Sequence, residues 1–171
     1  SRLQKRLRHL GLATFSEYCV HLRSNAAEIE NFVSALTTNL TSFFRERHHF
    51  QRLTELLLQP PKSSESLRIW SAACSTGEEP YSIAMTLADA AAQSPACRAA
   101  RVLATDIDRE VLARASQGVY SVDSVHALEP ALVKRHFQRG RPPNHGGEIR
   151  VTSQPGQGSR FVLTLPAQVT G

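Results

Sequence analysis

The sequence predicts an α/β protein with a small helical N-terminal domain, a strand–helix–strand unit and a terminal β-hairpin. Three observations support this fold class. Residues 1–58 carry apolar side chains at helical spacing, residues 67–140 alternate short apolar segments with helical ones, and residues 141–171 alternate apolar and polar side chains around a PGQG turn. Strand, helix and strand in succession are typical of a parallel sheet. Alternation on both sides of a glycine-containing turn is typical of an antiparallel hairpin.

The composition is that of a globular protein in a reducing compartment. The chain has 171 residues, of which 41% are hydrophobic, and a formal net charge of +5. Its three cysteines are widely spaced and odd in number, which argues against a disulfide framework. No apolar run has the length of a membrane span, and the N-terminus lacks the apolar core of a signal peptide. We therefore expect a cytoplasmic protein without membrane insertion, and the moderate charge does not require a nucleic acid partner.

The N-terminal helices are predicted from their start signals. Residues 14–17 (TFSE) and 25–28 (NAAE) both match the capping box, and each precedes apolar residues at helical spacing. A third helix is predicted over 46–58, because two prolines follow at positions 60 and 61. Residues 59–66 are rich in proline and serine and form the predicted linker.

The middle region reads as alternating strands and helices. The predicted strands are 67–72 and 101–105, and the predicted helices are 80–92, 108–116 and 130–137. Gly118 is the expected stop of the second of these helices. This order predicts a βαβ unit with a parallel sheet.

The segment RIWSAACSTGEEPYSIAM, residues 68–85, joins a strand to a helix through one glycine. Such a turn commonly binds phosphate, but here Glu78 and Glu79 occupy the helix start and would repel it. Asp106 and Asp108 follow the second strand, where an acid accepts hydrogen bonds from a ribose. S-adenosylmethionine fits both observations, because it carries a sulfonium, an ammonium and two ribose hydroxyls. The alternative is that these acids only complement the starts of their helices.

Three motifs resemble one known family. TTNLTSFFRERHHF (37–50), WSAACSTGEEPYSIAM (70–85) and ATDIDREVLARASQGVY (104–120) closely resemble the CheR-type chemotaxis receptor methyltransferases in order and spacing. The resemblance covers about residues 1–140. It implies a protein-glutamate O-methyltransferase that uses S-adenosyl-L-methionine and releases S-adenosyl-L-homocysteine. It also implies an N-terminal helical domain over 1–58 and an incomplete Rossmann-like methyltransferase domain over 67–140.

The resemblance also implies roles for individual residues. Arg45 is the expected catalytic residue, which would orient a carboxylate by a bidentate hydrogen bond. A surface ion pair with Glu46 or Glu55 is the alternative for this arginine. The expected cofactor-binding residues are Asn39, Thr41, Arg45, Thr76, Gly77, Glu79 and Asp106.

The first helix carries basic residues without an acidic one among them. The resemblance implies that this face meets the cytoplasmic helices of methyl-accepting chemotaxis receptors, whereas a solvated basic face is the alternative. The expected receptor-binding residues are Arg2, Lys5, Arg6 and Arg8. A monomer is expected. No metal site is expected, because no cysteine or acidic partner completes a ligand pattern with the adjacent His48 and His49.

The chain departs from the family pattern after about residue 140. The family continues with a segment resembling F-D-x-I-x-C-R-N-V-x-I-Y-F, which supplies an Asn and a Tyr to the site, and this sequence lacks it. Residues 145–166 instead resemble the C-terminal hairpin of a histidine-kinase ATP-binding domain, for which we expect a structural role within a tail over 141–171. The sequence thus predicts a truncated methyltransferase with impaired turnover. The alternatives are a non-catalytic module that binds a receptor or S-adenosylhomocysteine, and a fragment of a two-component histidine kinase hybrid.

Overall fold

A computed structural model of the chain describes residues 1–59, 67–94, 97, 100–139, 147–148 and 160–164. The described helices are α1 (Arg2–Leu10), α2 (Phe15–Ser24), α3 (Glu28–Leu36), α4 (Arg47–Leu57), α5 (Glu78–Ala90), α6 (Arg109–Gln117), α7 (Val122–Val125) and α8 (Pro130–His136). The described strands are β1 (Arg68–Ala72), β2 (Arg101–Thr105), β3 (Val119–Tyr120), β4 (Gln138–Arg139), β5 (Gly147–Glu148) and β6 (Arg160–Thr164). The predicted α/β class is confirmed. Most of the predicted linker, residues 60–66, lies outside the described residues.

The helix start signals are only partly confirmed. Thr14 and Glu17 form the predicted capping box at the start of α2. The second predicted box is wrong, because α3 begins after Ala27 without a side-chain cap. The Glu28 carboxylate does not accept from the Asn25 N–H, as a capping box requires, because it accepts from side chains of α1 and α2.

The Glu28 carboxylate holds the three N-terminal helices together. Arg6 of α1 donates to both of its oxygens, from Nε at 2.7 Å and from Nη2 at 2.6 Å. The Tyr18 hydroxyl of α2 donates to it at 2.9 Å, and the Asn31 amide donates at 3.1 Å. The hydrogen bond from Arg6 is the main reason that the pKa of Glu28 is lowered to about 2, although burial works against it. A buried charge with this many donors is well compensated.

The main described sheet has the order β1–β2–β6. β1 and β2 are parallel, with Arg68 opposite Arg101 and Ala72 opposite Thr105. β6 is antiparallel to β2, and a second small sheet has the order β3–β5–β4. The tail strands β5 and β6 therefore lie in different sheets, and the described residues do not pair them as the predicted hairpin. The other residues of that hairpin lie outside the described ranges.

Helix α5 and the segment before α4 form the centre of the core. Ten of the thirteen residues of α5 are buried. Phe43 packs edge-on against Tyr120 at 4.8 Å and against Phe137 at 5.3 Å between ring centroids. The Phe44 N–H donates to the Ser82 hydroxyl of α5 at 2.9 Å. The segment that follows α3 is thereby fixed to the α/β part of the molecule.

Candidate functional site

The turn between β1 and α5 has an unusual backbone. Ala73, Ser75 and Gly77 all have positive φ, of 59°, 51° and 99°. A Cβ at Gly77 would lie 2.6 Å from the Tyr120 hydroxyl and 2.9 Å from the Ala115 Cβ. Only glycine fits both this conformation and this space. The turn can therefore bring α5 directly under the carboxyl end of β1.

The two glutamates of the turn have different environments. Glu78 is 8% exposed and accepts a hydrogen bond from the Thr76 hydroxyl at 2.7 Å. Glu79 is exposed and accepts from the hydroxyl of the buried Ser71 at 2.6 Å. Glu79 is thus the glutamate that a ligand can reach, and Glu78 stabilises the turn.

Asp106 lies beside this turn, immediately after β2. Its Oδ2 accepts from the Ser75 N–H at 2.8 Å, and its Oδ1 accepts from the Asp108 N–H at 2.9 Å. A carboxylate has about four acceptor positions, so roughly two remain. Because Asp106 is half-buried, these positions can be reached from solvent. We call the turn 73–77 together with Glu79 and Asp106 the candidate cofactor site.

Asn39 is held at this site by Asp108. The Asn39 side-chain amide donates to Asp108 Oδ2 at 3.0 Å, and the Asn39 backbone carbonyl accepts from the Ser75 hydroxyl at 3.4 Å. Thr37 donates to the same Oδ2 at 3.2 Å. The sequence named Asp108 as an acid after β2 or, as the alternative, as one that serves the start of the next helix. Asp108 does cap α6, by accepting from the N–H groups of Glu110 and Val111. Its contacts with Thr37 and Asn39 have no local sequence signal.

The other predicted residues of the segment before α4 are placed differently. Thr41 is half-buried. Arg45 is exposed, and its Nη1 donates to the Leu40 carbonyl at 2.8 Å. Neither of the acids named as alternative partners pairs with it, because Glu46 lies 3.8 Å from His48 and Glu55 lies 2.6 Å from Arg52.

The predicted receptor-binding residues of α1 also divide into two groups. Lys5 and Arg8 are exposed. Arg2 is exposed but donates to the carbonyls of Ser34 and Thr37 at the end of α3. Arg6 is occupied by its ion pair with Glu28. Three of the four basic residues thus remain on the surface.

Other chemistries find less support in the part of the chain that the structure describes. Cys74 is 1% exposed, and burial together with the charge of Asp106 raises the pKa of its thiol to about 12, which suits packing rather than nucleophilic attack. None of the described residues forms a group of three or more His, Cys, Asp or Glu that could hold a metal ion. None of the described helices combines the length and apolar character needed to cross a membrane.

One described cavity is separate from the candidate cofactor site. It has a volume of about 430 Å³ and lies between α4, α5 and α8. Phe44, Phe50 and Leu132 supply part of its apolar lining, and none of the predicted cofactor-binding residues lines it. The carboxylates of Glu79 and Asp106 instead lie near the carboxyl ends of β1 and β2, where such acceptor groups suit a ligand that carries hydroxyls and positive charge.

Comparison with known proteins agrees with a ligand of this kind. Residues 39–153 match the family model described as CheR methyltransferase, SAM binding domain, and residues 1–37 match CheR methyltransferase, all-alpha domain. Chemotaxis protein methyltransferase 2 of Pseudomonas aeruginosa is 49% identical over 154 residues, which cover 90% of this chain and 54% of that protein. The chemotaxis protein methyltransferases of Salmonella typhimurium and Escherichia coli are each 47% identical over 156 residues, covering 90% of this chain and 52% of each relative.

The chain therefore spans about half the length of the curated relatives it matches. The two family models together cover its helical N-terminal part and the strands β1 and β2, which precede Glu79 and Asp106. S-adenosylmethionine is the cofactor of the matched domain. From its sequence matches and its fold, this chain belongs to the CheR methyltransferase family.

Proposed function

We propose that this chain takes part in the methylation of glutamate side chains of chemotaxis receptors, with S-adenosylmethionine as the methyl donor. The carrying observation is that Glu79 and Asp106 lie at the carboxyl ends of adjacent parallel strands, where both keep acceptor capacity. Ligands of open α/β sheets bind at this edge. Because the chain spans about half the length of its relatives, we propose its activity, substrate and partner together.

The chain's own residues would bind and orient rather than transfer protons. When bound, S-adenosylmethionine would supply an electrophilic methyl group for transfer from its sulfur to a substrate carboxylate oxygen. The substrate glutamate, with a pKa of about 4.3, is already ionised at neutral pH and needs no general base. Glu79 and Asp106 would accept hydrogen bonds from the ligand and offset its positive charge. The main contribution to rate is then alignment of the reacting atoms.

Arg45 is proposed to orient the substrate carboxylate. The single described hydrogen bond of its guanidinium uses one of five donors, so enough remain for a bidentate contact. Its exposure makes it accessible to a glutamate on another protein. Asn39, Thr41, Thr76 and Gly77 complete the proposed cofactor-binding set.

The partner surface is proposed to be the basic face of α1. Lys5 and Arg8 would contact acidic cytoplasmic helices of a methyl-accepting chemotaxis receptor. Arg2, the first residue of α1, would add to this surface. Arg6 would act indirectly, because its ion pair with Glu28 fixes α1 against α3. We propose a cytoplasmic location, because the proposed substrate is the cytoplasmic part of a receptor. We also propose that the chain acts as a monomer.

Binding of S-adenosylhomocysteine to a Glu79→Gln variant tests the site. We expect calorimetry to show weakening of about 1.5–3 kcal/mol, the value of a hydrogen bond to a charged group. The control is Glu110→Gln, which neutralises an exposed carboxylate of α6 that pairs with Arg114. Equal affinities for both variants and the unmodified chain would refute the assignment of Glu79.

A further inference from the structure

We propose that Asp108 is a positioning residue, which holds Asn39 beside the candidate cofactor site and supports Asp106 from behind. The inference rests on the proposed function and assigns a role to a residue that contacts neither cofactor nor substrate in that proposal. Its basis is the hydrogen bonding of the two acids that follow β2.

The acceptor capacity of Asp108 is fully used within the chain. Its Oδ1 accepts from the backbone N–H groups of Glu110 at 2.9 Å and Val111 at 3.4 Å, which caps α6. Its Oδ2 accepts from Asn39 at 3.0 Å and, at 3.2 Å, from the Thr37 hydroxyl, whose single hydrogen is shared with the Val33 carbonyl at 3.1 Å. With about four acceptor positions on a carboxylate, none is left for a ligand. Asp108 is also only 2% exposed, so it acts through its neighbours.

These bonds belong to a closed ring that joins three separate parts of the chain. The Ser75 N–H donates to Asp106, and the Ser75 hydroxyl donates to the Asn39 backbone carbonyl. The Asn39 amide donates to Asp108, and the Asp108 N–H donates to Asp106. The ring therefore fixes Asn39, the turn after β1 and the residues after β2 relative to one another.

The charge on Asp108 suits this role. Burial alone would raise its pKa, but the hydrogen bonds from Asn39, from the backbone of Val111 and Glu110, and from Thr37 lower it below the ordinary value. The carboxylate thus stays ionised in a buried place. Hydrogen bonds to an ionised acceptor are about twice as strong as neutral ones, so the segment over 37–39 is held firmly.

The test replaces Asp108 by asparagine in the full chain. Asparagine caps a helix as well as aspartate does, so α6 is retained. Its amide nitrogen, however, can take the place of Oδ2 and oppose the donor group of Asn39. We expect Asp108→Asn to raise the Kd for S-adenosylhomocysteine about tenfold. Asp123→Asn, at an exposed aspartate in the first turn of α7, is the matched control and should leave the Kd unchanged.

A double-mutant cycle distinguishes positioning from general destabilisation. If Asp108 acts through Asn39, Asp108→Asn should add little to the loss already caused by Asn39→Ala. Additive losses, or an unchanged Kd in Asp108→Asn, would overturn the inference. Circular dichroism of each variant verifies that the helices are retained.

Hydrogen exchange of the ligand-free chain provides a readout independent of cofactor binding. Asp108→Asn should speed exchange over residues 37–44 while residues 109–117 keep their protection. Unchanged exchange over 37–44 would overturn the inference. If the unmodified chain binds no S-adenosylhomocysteine, the proposed function fails, and the exchange result alone decides whether Asp108 holds this segment.

Discussion

Asp106 and Asp108 carry the same functional group and are separated by one residue, yet only Asp106 keeps free acceptor positions. The difference comes from donors that are distant in sequence, since Thr37 and Asn39 both donate to Asp108. A carboxylate that is saturated by the protein organises a site, and one that is half saturated can bind a ligand. At the scale of single residues, the unused hydrogen-bonding capacity therefore assigns the roles.

Glu28 is the carboxylate whose titration should control the stability of the helical part. Its pKa is lowered from 4.5 to about 2, chiefly by the hydrogen bond from Arg6. A lowered folded-state pKa contributes stability that is complete above pH 4.5 and is lost as the pH falls towards 2. We expect urea unfolding to show a loss of about 3 kcal/mol across that window.

Glu28→Gln should reduce stability at neutral pH and flatten the same window. Removing one member of a buried ion pair costs about 3–5 kcal/mol, because Arg6 is left without its partner. Glu30→Gln is the matched control, since this exposed acid on the same helix pairs only on the surface with Arg109. An unaltered acid transition in Glu28→Gln would contradict the role assigned to this network.

Single residues were predicted unevenly from the sequence. The capping box at Thr14 depends on residues three positions apart, so the pattern was sufficient. The identical pattern at Asn25 failed, because Glu28 finds better donors on two other helices. The sequence assigned Arg6 to the receptor surface because its partner, Glu28, lies 22 residues away and gives no local signal.

At the scale of elements, the turn between β1 and α5 depends on Gly77. Gly77→Ala should destabilise the chain by about 1–2 kcal/mol through its backbone conformation and by about 1–3 kcal/mol more through overpacking. Tyr120 cannot easily move away, because its hydroxyl donates to the Thr76 carbonyl at 2.7 Å and its ring packs against Phe43. Thermal unfolding of the purified variant measures the loss.

Gly11→Ala separates the two contributions. Gly11 also has a positive φ, of 70°, but a Cβ there would meet nothing within 4 Å. This variant should therefore show the conformational cost alone. If Gly77→Ala were no more destabilising than Gly11→Ala, the close packing under the turn would have no energetic significance.

Helix α1 allows the partner surface to be tested apart from stability. Reversing the charge of Lys5 and Arg8 should slow association with receptor fragments and flatten its salt dependence, since both side chains are exposed. Association rates at several salt concentrations check this. The control Lys134→Glu changes an exposed basic residue of α8 and should have no effect. If reversal at both positions left the rate unchanged, α1 would be a solvated basic face.

At the scale of the whole molecule, the described sheet leaves β1 at an edge. Large apolar side chains beside the site remain exposed, among them Leu40 at 75%, Trp70 at 67% and Ile107 at 74%. We expect the 171-residue chain to bind S-adenosylhomocysteine but to methylate receptor fragments far more slowly than its longer relatives. Alignment supplies effective molarities of about 10⁵–10⁸ M, and an open site loses most of that gain.

Radiolabelled methyl transfer to receptor fragments measures this expectation. The matched comparison is a relative of full length under the same conditions. Comparable turnover by the two proteins would contradict the expectation and would mean that the described half of the site is sufficient for alignment.

The overall architecture followed from the sequence where the signals were local. Helical periodicity and the strand–helix–strand order predicted the elements to within about two residues, for example β2 over 101–105 and α5 near 80–92. The partners of the tail strands did not follow, because pairing across a sheet depends on distant segments. β6 alternates like a hairpin strand, yet its described partner is β2.

The exposed Trp70 on β1 also has a spectroscopic consequence. It is the chain's single tryptophan, and its indole N–H donates to the Thr105 hydroxyl at 3.0 Å, one residue before Asp106. The tryptophan fluorescence of the protein therefore originates from one exposed indole, which contacts the carboxyl end of β2. Any molecule or strand that covers this edge will shift the emission to shorter wavelength, so the native chain reports occupancy of its own site without an added label.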